Sequence, residues 1–174
     1  MKRSEIEIVP DYFLRYINLV PDAELMDVLP TGGIDLYQNE LEKLKAIGLK
    51  TYAAEKWTIP ELIEHLMDTE RIFLNRSLRF VRQDTTPLPG YDENEYAKTS
   101  RANERSLEDL LEEYEVIRSC TNLFFKNLNR EQLLATGEAS GLKISVLAMG
   151  FIQIGHPIHH FNVIKERYFP LITQ

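Results

Sequence analysis

Apolar residues recur along this chain at helical spacing, and strand-like alternation is nowhere sustained. Pro10 to Leu29 reads as one or two short helices interrupted near Pro21, and Pro30-Thr31-Gly32-Gly33 breaks the chain before a polar helix from about Ile34 to Ala46. The clearest helix start is Trp57-Thr58-Ile59-Pro60-Glu61-Leu62. There the Thr58 hydroxyl can accept from the Glu61 N–H while the Glu61 carboxylate accepts from the Thr58 N–H, a capping box. Trp57 and Leu62 sit where a hydrophobic staple clamps the first turn, and Pro60 is tolerated because its missing N–H has no helical partner. This helix buries Ile59, Leu62, Leu66, Phe73 and Phe80 and runs to about Arg82. Pro87-Leu88-Pro89-Gly90 follows, a stiff loop long enough for a crossover or a lip over a site.

A third long helix covers roughly Asn94 to Asn127, with a break near Ser106, an N-cap together with Asp109. Its run of Glu108, Asp109, Glu112, Glu113 and Glu115 is a solvated face. Asn129 caps a short turn, Thr136 to Gly141 reads as a loop, and the last helix runs from Ser145 to Tyr168, where Phe169-Pro170 stops it. The predicted fold is all-α, a four-helix bundle forming one domain over residues 1–174.

The last helix is apolar on two faces. Leu147, Phe151, Ile154, Ile158 and Phe161 form one seam; Ser145, Met149, Ile152, His156, His159 and Val163 form another, almost opposite. A helix apolar on both sides is buried on both sides, so one seam lines the core and the other needs a second layer or a partner chain. The histidine-bearing seam is taken as the inward one, and a homodimer is expected.

Composition narrows the class. The chain has 174 residues, 44% of them hydrophobic and 27% charged, which is globular rather than disordered. Its net charge of −7, without a basic cluster, disfavours nucleic acid as a partner. The N-terminus lacks the apolar core of a signal peptide, and no stretch approaches the roughly 20 apolar residues that span a bilayer. A soluble cytoplasmic protein is expected, with no membrane partner. Cys120 is the only cysteine, so no intramolecular disulfide forms; its apolar neighbours Ile117, Leu123 and Phe124 make it a packed small residue rather than a nucleophile.

The chemistry-bearing cluster is Gly155-His156-Pro157-Ile158-His159-His160. On a helix, His156 and His160 lie about 40° apart and one turn along, so both can reach one metal ion; His156 and His159 are the competing pair. One core histidine with two at the surface explains the spacing equally well. Pro157 removes a bond to the Gln153 carbonyl and should kink the axis, at about 3 kcal/mol in an ordinary helix. His65 borders the core stripe of its own helix, about 60° away. Asp68 and Glu61, each one turn from it, either orient its imidazole or are surface carboxylates.

Lys56-Trp57-Thr58-Ile59-Pro60-Glu61-Leu62-Ile63-Glu64-His65, then Asp68-Thr69-Glu70-Arg71 and Arg76, then Pro87-Leu88-Pro89-Gly90-Tyr91 and the Gly155–His160 segment, together resemble the DinB/YfiT-like superfamily, over most of the chain from about Tyr12 to Tyr168. The resemblance implies an up-down-down-up four-helix bundle, commonly a homodimer, with a divalent metal, zinc or nickel, on three histidines near one end. Carried over by position these are His65, His156 and His160, with His159 a non-ligand neighbour. Pro157 stands at a variable position of the pattern.

Three neutral imidazoles leave an ion its charge and an open position, which acidifies a bound water or thiol. Two chemistries follow for a small-molecule substrate: S-transfer from a low-molecular-weight thiol cosubstrate, and hydrolysis. Characterised relatives include thiol-dependent transferases and isomerases, which puts thiol transfer first. A non-catalytic dimeric metal-binding module is the third reading. Spacing identifies no general base; Asp68, Glu70 and Tyr91 are candidates by neighbourhood alone. Arg71 and Arg76 can pair with acidic substrate groups, or form ordinary salt bridges on the helix surface.

Overall fold

The computed structural model describes residues 1–30 and 32–173, the side chain of residue 173 excepted; Thr31, in the predicted chain break, lies outside them. In chain order the helices are α1 (Asp11–Ile17), α2 (Leu25–Val28), α3 (Ile34–Asn39), α4 (Leu41–Ile47), α5 (Ile59–Val81), α6 (Glu93–Thr99), α7 (Leu107–Lys126), α8 (Arg130–Leu134) and α9 (Val146–Val163). The predicted polar helix is thus two pieces, because Glu40 (φ −112°, ψ 17°) leaves helical geometry between them. The predicted last helix likewise ends early as an α-helix: beyond Val163 the chain continues as a π turn, Ile164–Tyr168, and a 3₁₀ turn, Phe169–Thr173.

Polar pairs between helices reveal how the bundle runs. Glu64 pairs with Arg105 at 3.3 Å and Glu70 with Arg118 at 2.7 Å, so numbering rises together and α5 is parallel to α7. His65 meets His156 while Ser77 meets Met149, so α9 is antiparallel to α5. Gln38 bonds Glu115 and Lys45 pairs with Glu108, which sets α3–α4 antiparallel to α7. The order is up, down, down, up. Parallel α5 and α7 require a crossover, supplied by the segment that carries Pro87–Gly90 and α6.

Every residue of α9 from Val146 to Pro157 is buried. The second layer demanded by its two apolar faces comes from the chain itself: Tyr16 and Ile17 of α1 and Leu25 of α2 join Leu147, Phe151 and Ile154 in one core cluster. The burial of α9 therefore calls for no partner chain. A second cluster gathers Tyr37, Leu44, Ile63, Leu66, Leu110, Tyr114 and Phe161. Between the two lie polar residues on three helices: Glu70 of α5, Arg118 and Thr121 of α7, and Gln153 of α9, all buried.

Two expectations are corrected. The predicted loop at Thr136–Gly141 is part of a hairpin, β1 (Thr136–Ala139) pairing antiparallel with β2 (Leu142–Ser145). Its turn residues, Ser140 and Gly141, both take positive φ (54° and 74°), the geometry of a two-residue hairpin. Strands of four residues carry too little alternation to be read from periodicity. Cys120, expected to be packed, is exposed. Among the described residues no helix is long and apolar enough to cross a membrane.

Candidate metal centre

His65 stands in the second turn of α5, and the cap predicted for that helix forms: Thr58 N donates to Glu61 Oε2 at 2.8 Å and Glu61 N to Thr58 Oγ1 at 3.3 Å. The cap fixes the direction in which Trp57 leaves the helix. Its indole packs against His65, ring centroids 4.6 Å apart, with His160 at 6.5 Å, while its carbonyl accepts from the Tyr168 hydroxyl at 2.6 Å. Trp57 and Leu62 also share the wall of one cavity.

His156 and His160 come from α9, one turn apart. Pro157 between them leaves the Gln153 carbonyl without its helical donor, and Arg118 Nη2 takes that place at 2.8 Å. The Pro157 carbonyl accepts from the Tyr37 hydroxyl at 2.9 Å. Neighbouring helices thus re-bond the strained turn. Gly155 permits the approach of α1: a Cβ there would stand 2.0 Å from the Tyr16 carbonyl oxygen. That approach sets the Tyr16 ring edge-on to His156 (5.0 Å) and His159 (5.2 Å).

The result is a convergence of ring nitrogens. His156 Nε2 lies 3.2 Å from His65 Nε2 and 2.9 Å from His160 Nε2, and one nitrogen from each of the three rings falls within 4.8 Å of the others. His159, the spacing rival, is half-buried against Tyr16 and outside this group. Burial pushes His65 down to about 4 and His160 to about 3, the latter helped by its histidine neighbours, and drives His156 well below its ordinary value. All three are neutral at pH 7, the state in which imidazole nitrogen binds metal.

Two cavities flank the cluster. The outer one, about 280 Å³, is bordered by His159, His160, Trp57 and Tyr168. The inner one, about 260 Å³, is bordered by His65 and His156 and by Tyr16, Phe73, Arg76 and Tyr91. The loop after α5 forms part of its wall. Leu88 is stitched to the hairpin through Leu88 N to Glu138 O (3.0 Å) and Ser140 N to Leu88 O (2.9 Å), which holds Tyr91 with its hydroxyl 2.8 Å from Thr69 Oγ1.

The sequence matches the DinB superfamily over residues 5–164. The chain belongs to the DinB superfamily. No curated protein matches it by sequence. Among solved structures it is similar to YfiT from Bacillus subtilis, described as a probable metal-dependent hydrolase with an unusual four-helix bundle topology. The TM-score is 0.66 at 17% identity, covering 92% of this chain and 87% of YfiT, a likeness of fold.

The base candidates divide within this DinB bundle. Glu70 is held by Arg118 Nε and Nη2 at 2.8 and 2.7 Å, so its carboxylate is engaged in the core. Asp68 pairs with Arg71 at 3.4 Å, and Glu61 is taken by its cap and by Asn103 Nδ2 at 3.0 Å, so neither orients a histidine. Tyr91 borders the inner cavity as a hydroxyl, its phenol raised by burial. Sequence reasoning did not single out Arg118 or Tyr16. Arg118 sits in a run of otherwise apolar and small residues, Val116-Ile117-Arg118-Ser119-Cys120, and a charge at that place is the signal available.

Proposed function

We propose that this protein is a metal-dependent enzyme in which His65, His156 and His160 hold one divalent ion, zinc or nickel, for the chemistry of a low-molecular-weight thiol. The three-way convergence of neutral Nε2 atoms carries the reading. Tetrahedral zinc, with Zn–N near 2.0–2.1 Å, sets ligand nitrogens about 3.3 Å apart, close to the 2.9 and 3.2 Å found here. Hydrogen bonding alone satisfies the arrangement poorly. His156 Nε2 has one lone pair or one N–H, and two nitrogens press on it.

A divalent ion on three neutral ligands keeps its full charge and an open position, and draws the pKa of a thiol or water bound there toward neutrality. The remaining work belongs to the chain. Trp57 and Tyr16 fix the imidazole planes, and the apolar side of the inner cavity limits water. The carboxylates near His65 in sequence are engaged elsewhere: Glu61 with Thr58 and Asn103, Glu64 with Arg105, Asp68 with Arg71, and Glu70 with Arg118. A thiol, with its pKa of about 8.5, needs less help in losing a proton than water does, which favours S-transfer. Hydrolysis is the second reading, supported by the description of YfiT.

The test is metal analysis of protein prepared without a histidine tag, alongside His65→Ala and His160→Ala. Near-stoichiometric zinc or nickel in wild type, lost in both variants, is the expected result; wild type without metal sinks the enzyme reading. The loaded protein is then assayed for thiol consumption with simple electrophiles and for ester and amide hydrolysis. Thiol consumption supports the first reading, and hydrolysis without thiol turnover replaces it with the second. Unfolding on chelation makes the ion structural and overturns both.

A further inference from the structure

The side of the inner cavity away from the histidines carries a buried cation with no carboxylate beside it. His65, Thr69, Phe73 and Arg76 form one stripe of α5, spaced by four, four and three residues, and all four border that cavity. Arg76 is 6% exposed. Its Nη2 donates to the Pro89 carbonyl at 2.9 Å and to Ser140 Oγ at 3.1 Å, both neutral acceptors, and no ion pair joins it among the described residues. A buried charge without a counter-charge is costly, and here Arg76 borders two open spaces, the inner cavity and the groove along Ile72, Asn75 and Tyr96.

We propose that the inner cavity binds a small organic molecule carrying one carboxylate, with that carboxylate on Arg76 and its apolar body against Phe13, Tyr16, Phe73 and Ile152. One guanidinium matches one negative charge. Glu93 borders the same cavity without an ion pair to Arg76 among the described residues; its carboxylate repels any anion there, and a phosphate dianion about twice as strongly as a single carboxylate. The hydroxyls of Tyr91 and Thr69, paired with each other, leave one O–H as a neutral donor between the cation and His65. The volume, about 260 Å³, lies just under the usual range of ligand sites, which restricts the occupant to a single short body. The proposal rests on the histidine cluster being the reacting end; Arg76 then fixes which end of the substrate faces it.

The sole tryptophan, Trp57, lies against His65 and reports binding by fluorescence. The probes are 3-phenylpropanoate and its uncharged amide, titrated into zinc-loaded wild type, Arg76→Met, Arg76→Lys and His65→Ala, with calorimetry as a second readout. The expected result is that wild type prefers the carboxylate by about tenfold or more, that Arg76→Met loses the preference, and that Arg76→Lys keeps part of it. Equal binding of the two probes by wild type, or an undiminished preference in Arg76→Met, overturns the proposal. A carboxylate can also bind a metal ion directly, so the zinc-depleted His65→Ala protein decides the source: a preference that survives there belongs to Arg76, and one that vanishes there overturns the assignment. Should wild type fail to hold zinc while still preferring the carboxylate, the metal reading fails and the Arg76 site stands. If Arg76→Met does not fold, Arg76→Lys decides alone, an unchanged preference overturning the proposal and a reduced one supporting it.

Discussion

Among the described residues two arginines are buried, and they are surrounded in opposite ways. Arg118 is 2% exposed and meets Glu70 through two nitrogens, with the carbonyls of Leu29, Gly32 and Gln153 taking further bonds. Arg76 is scarcely more exposed, yet it has two neutral acceptors and a cavity. Burial lowers the pKa of Arg76. Burial also opposes the charge on Arg118, but the carboxylate of Glu70 outweighs it and the net shift is upward. The difference separates a charge that the fold itself neutralises from one it leaves for something else to neutralise. The first kind holds helices in register; the second marks a place to bind.

The sharpest way to break this comparison is to remove Arg118. Arg118→Met leaves the Glu70 carboxylate buried and unpaired and strips donors from three backbone carbonyls. A loss of about 3–5 kcal/mol is expected, read as a lower midpoint in urea or guanidinium unfolding. The double variant Glu70→Met with Arg118→Met should recover a large part of that loss, because the isolated charge is gone. A single-variant loss below about 1 kcal/mol contradicts the account of Arg118 as a fully neutralised structural charge.

The histidine cluster sharpens the contrast through pH. Its three rings are buried neutral, with folded-state values of about 4 for His65, about 3 for His160, and well below the ordinary 6.5 for His156. Because the folded values lie below the unfolded one, the stability is fully present above about pH 6.5 and is lost as pH falls through the window toward 4 and 3. Metal-free protein should lose at least about 2 kcal/mol between pH 7 and pH 5, the amount set by one histidine that cannot take its proton when folded. His160→Gln should lose less over the same interval. Identical urea midpoint shifts for both proteins contradict the assigned burial.

A third test perturbs the side that holds Arg76 and spares Arg118. Gly155→Ala places a methyl 2.0 Å from the Tyr16 carbonyl oxygen, a backbone atom that moves only with α1. The expected cost is about 1–3 kcal/mol in unfolding, with weaker zinc retention because Tyr16 no longer braces His156. An unchanged midpoint means that α1 is free to shift, and the inner cavity is then less rigid than drawn here.

How far the sequence revealed these two regions follows from the kind of signal each leaves. The long helices of the bundle were legible because their caps are local. Thr58 with Glu61, Ser106 with Asp109 and Ser145 with Ala148 each satisfy a helix start within four residues of chain. His65, His156 and His160 were named by resemblance, since spacing left His159 open; only the rotation of α9 against α1 separates the two. The Arg118–Glu70 pair spans 48 positions, and a charge whose partner is that distant leaves no pattern in either helix. Glu70 accordingly looked like a possible base. The hairpin was missed for a related reason: four-residue strands with a Ser-Gly turn are fixed by Ile8, Leu88 and Phe80 packing around them, none of which is nearby in sequence.

The smallest expected effect completes the comparison. Arg76→Met removes two hydrogen bonds from a charged donor, worth about 1.5–3 kcal/mol each, and relieves a desolvation cost of several kcal/mol for a charge that has no carboxylate partner. The two terms oppose each other, so the unfolding free energy should change by less than about 1 kcal/mol in either direction. The same substitution at Arg118 is expected to cost several times more, though both arginines are buried and both are replaced by an apolar chain of similar length. Parallel urea titrations of the two variants at pH 7 measure the ratio. A loss at Arg76 as large as that at Arg118 would make the Pro89 and Ser140 contacts a structural clamp, and the cation at the cavity wall would need no ligand to explain it.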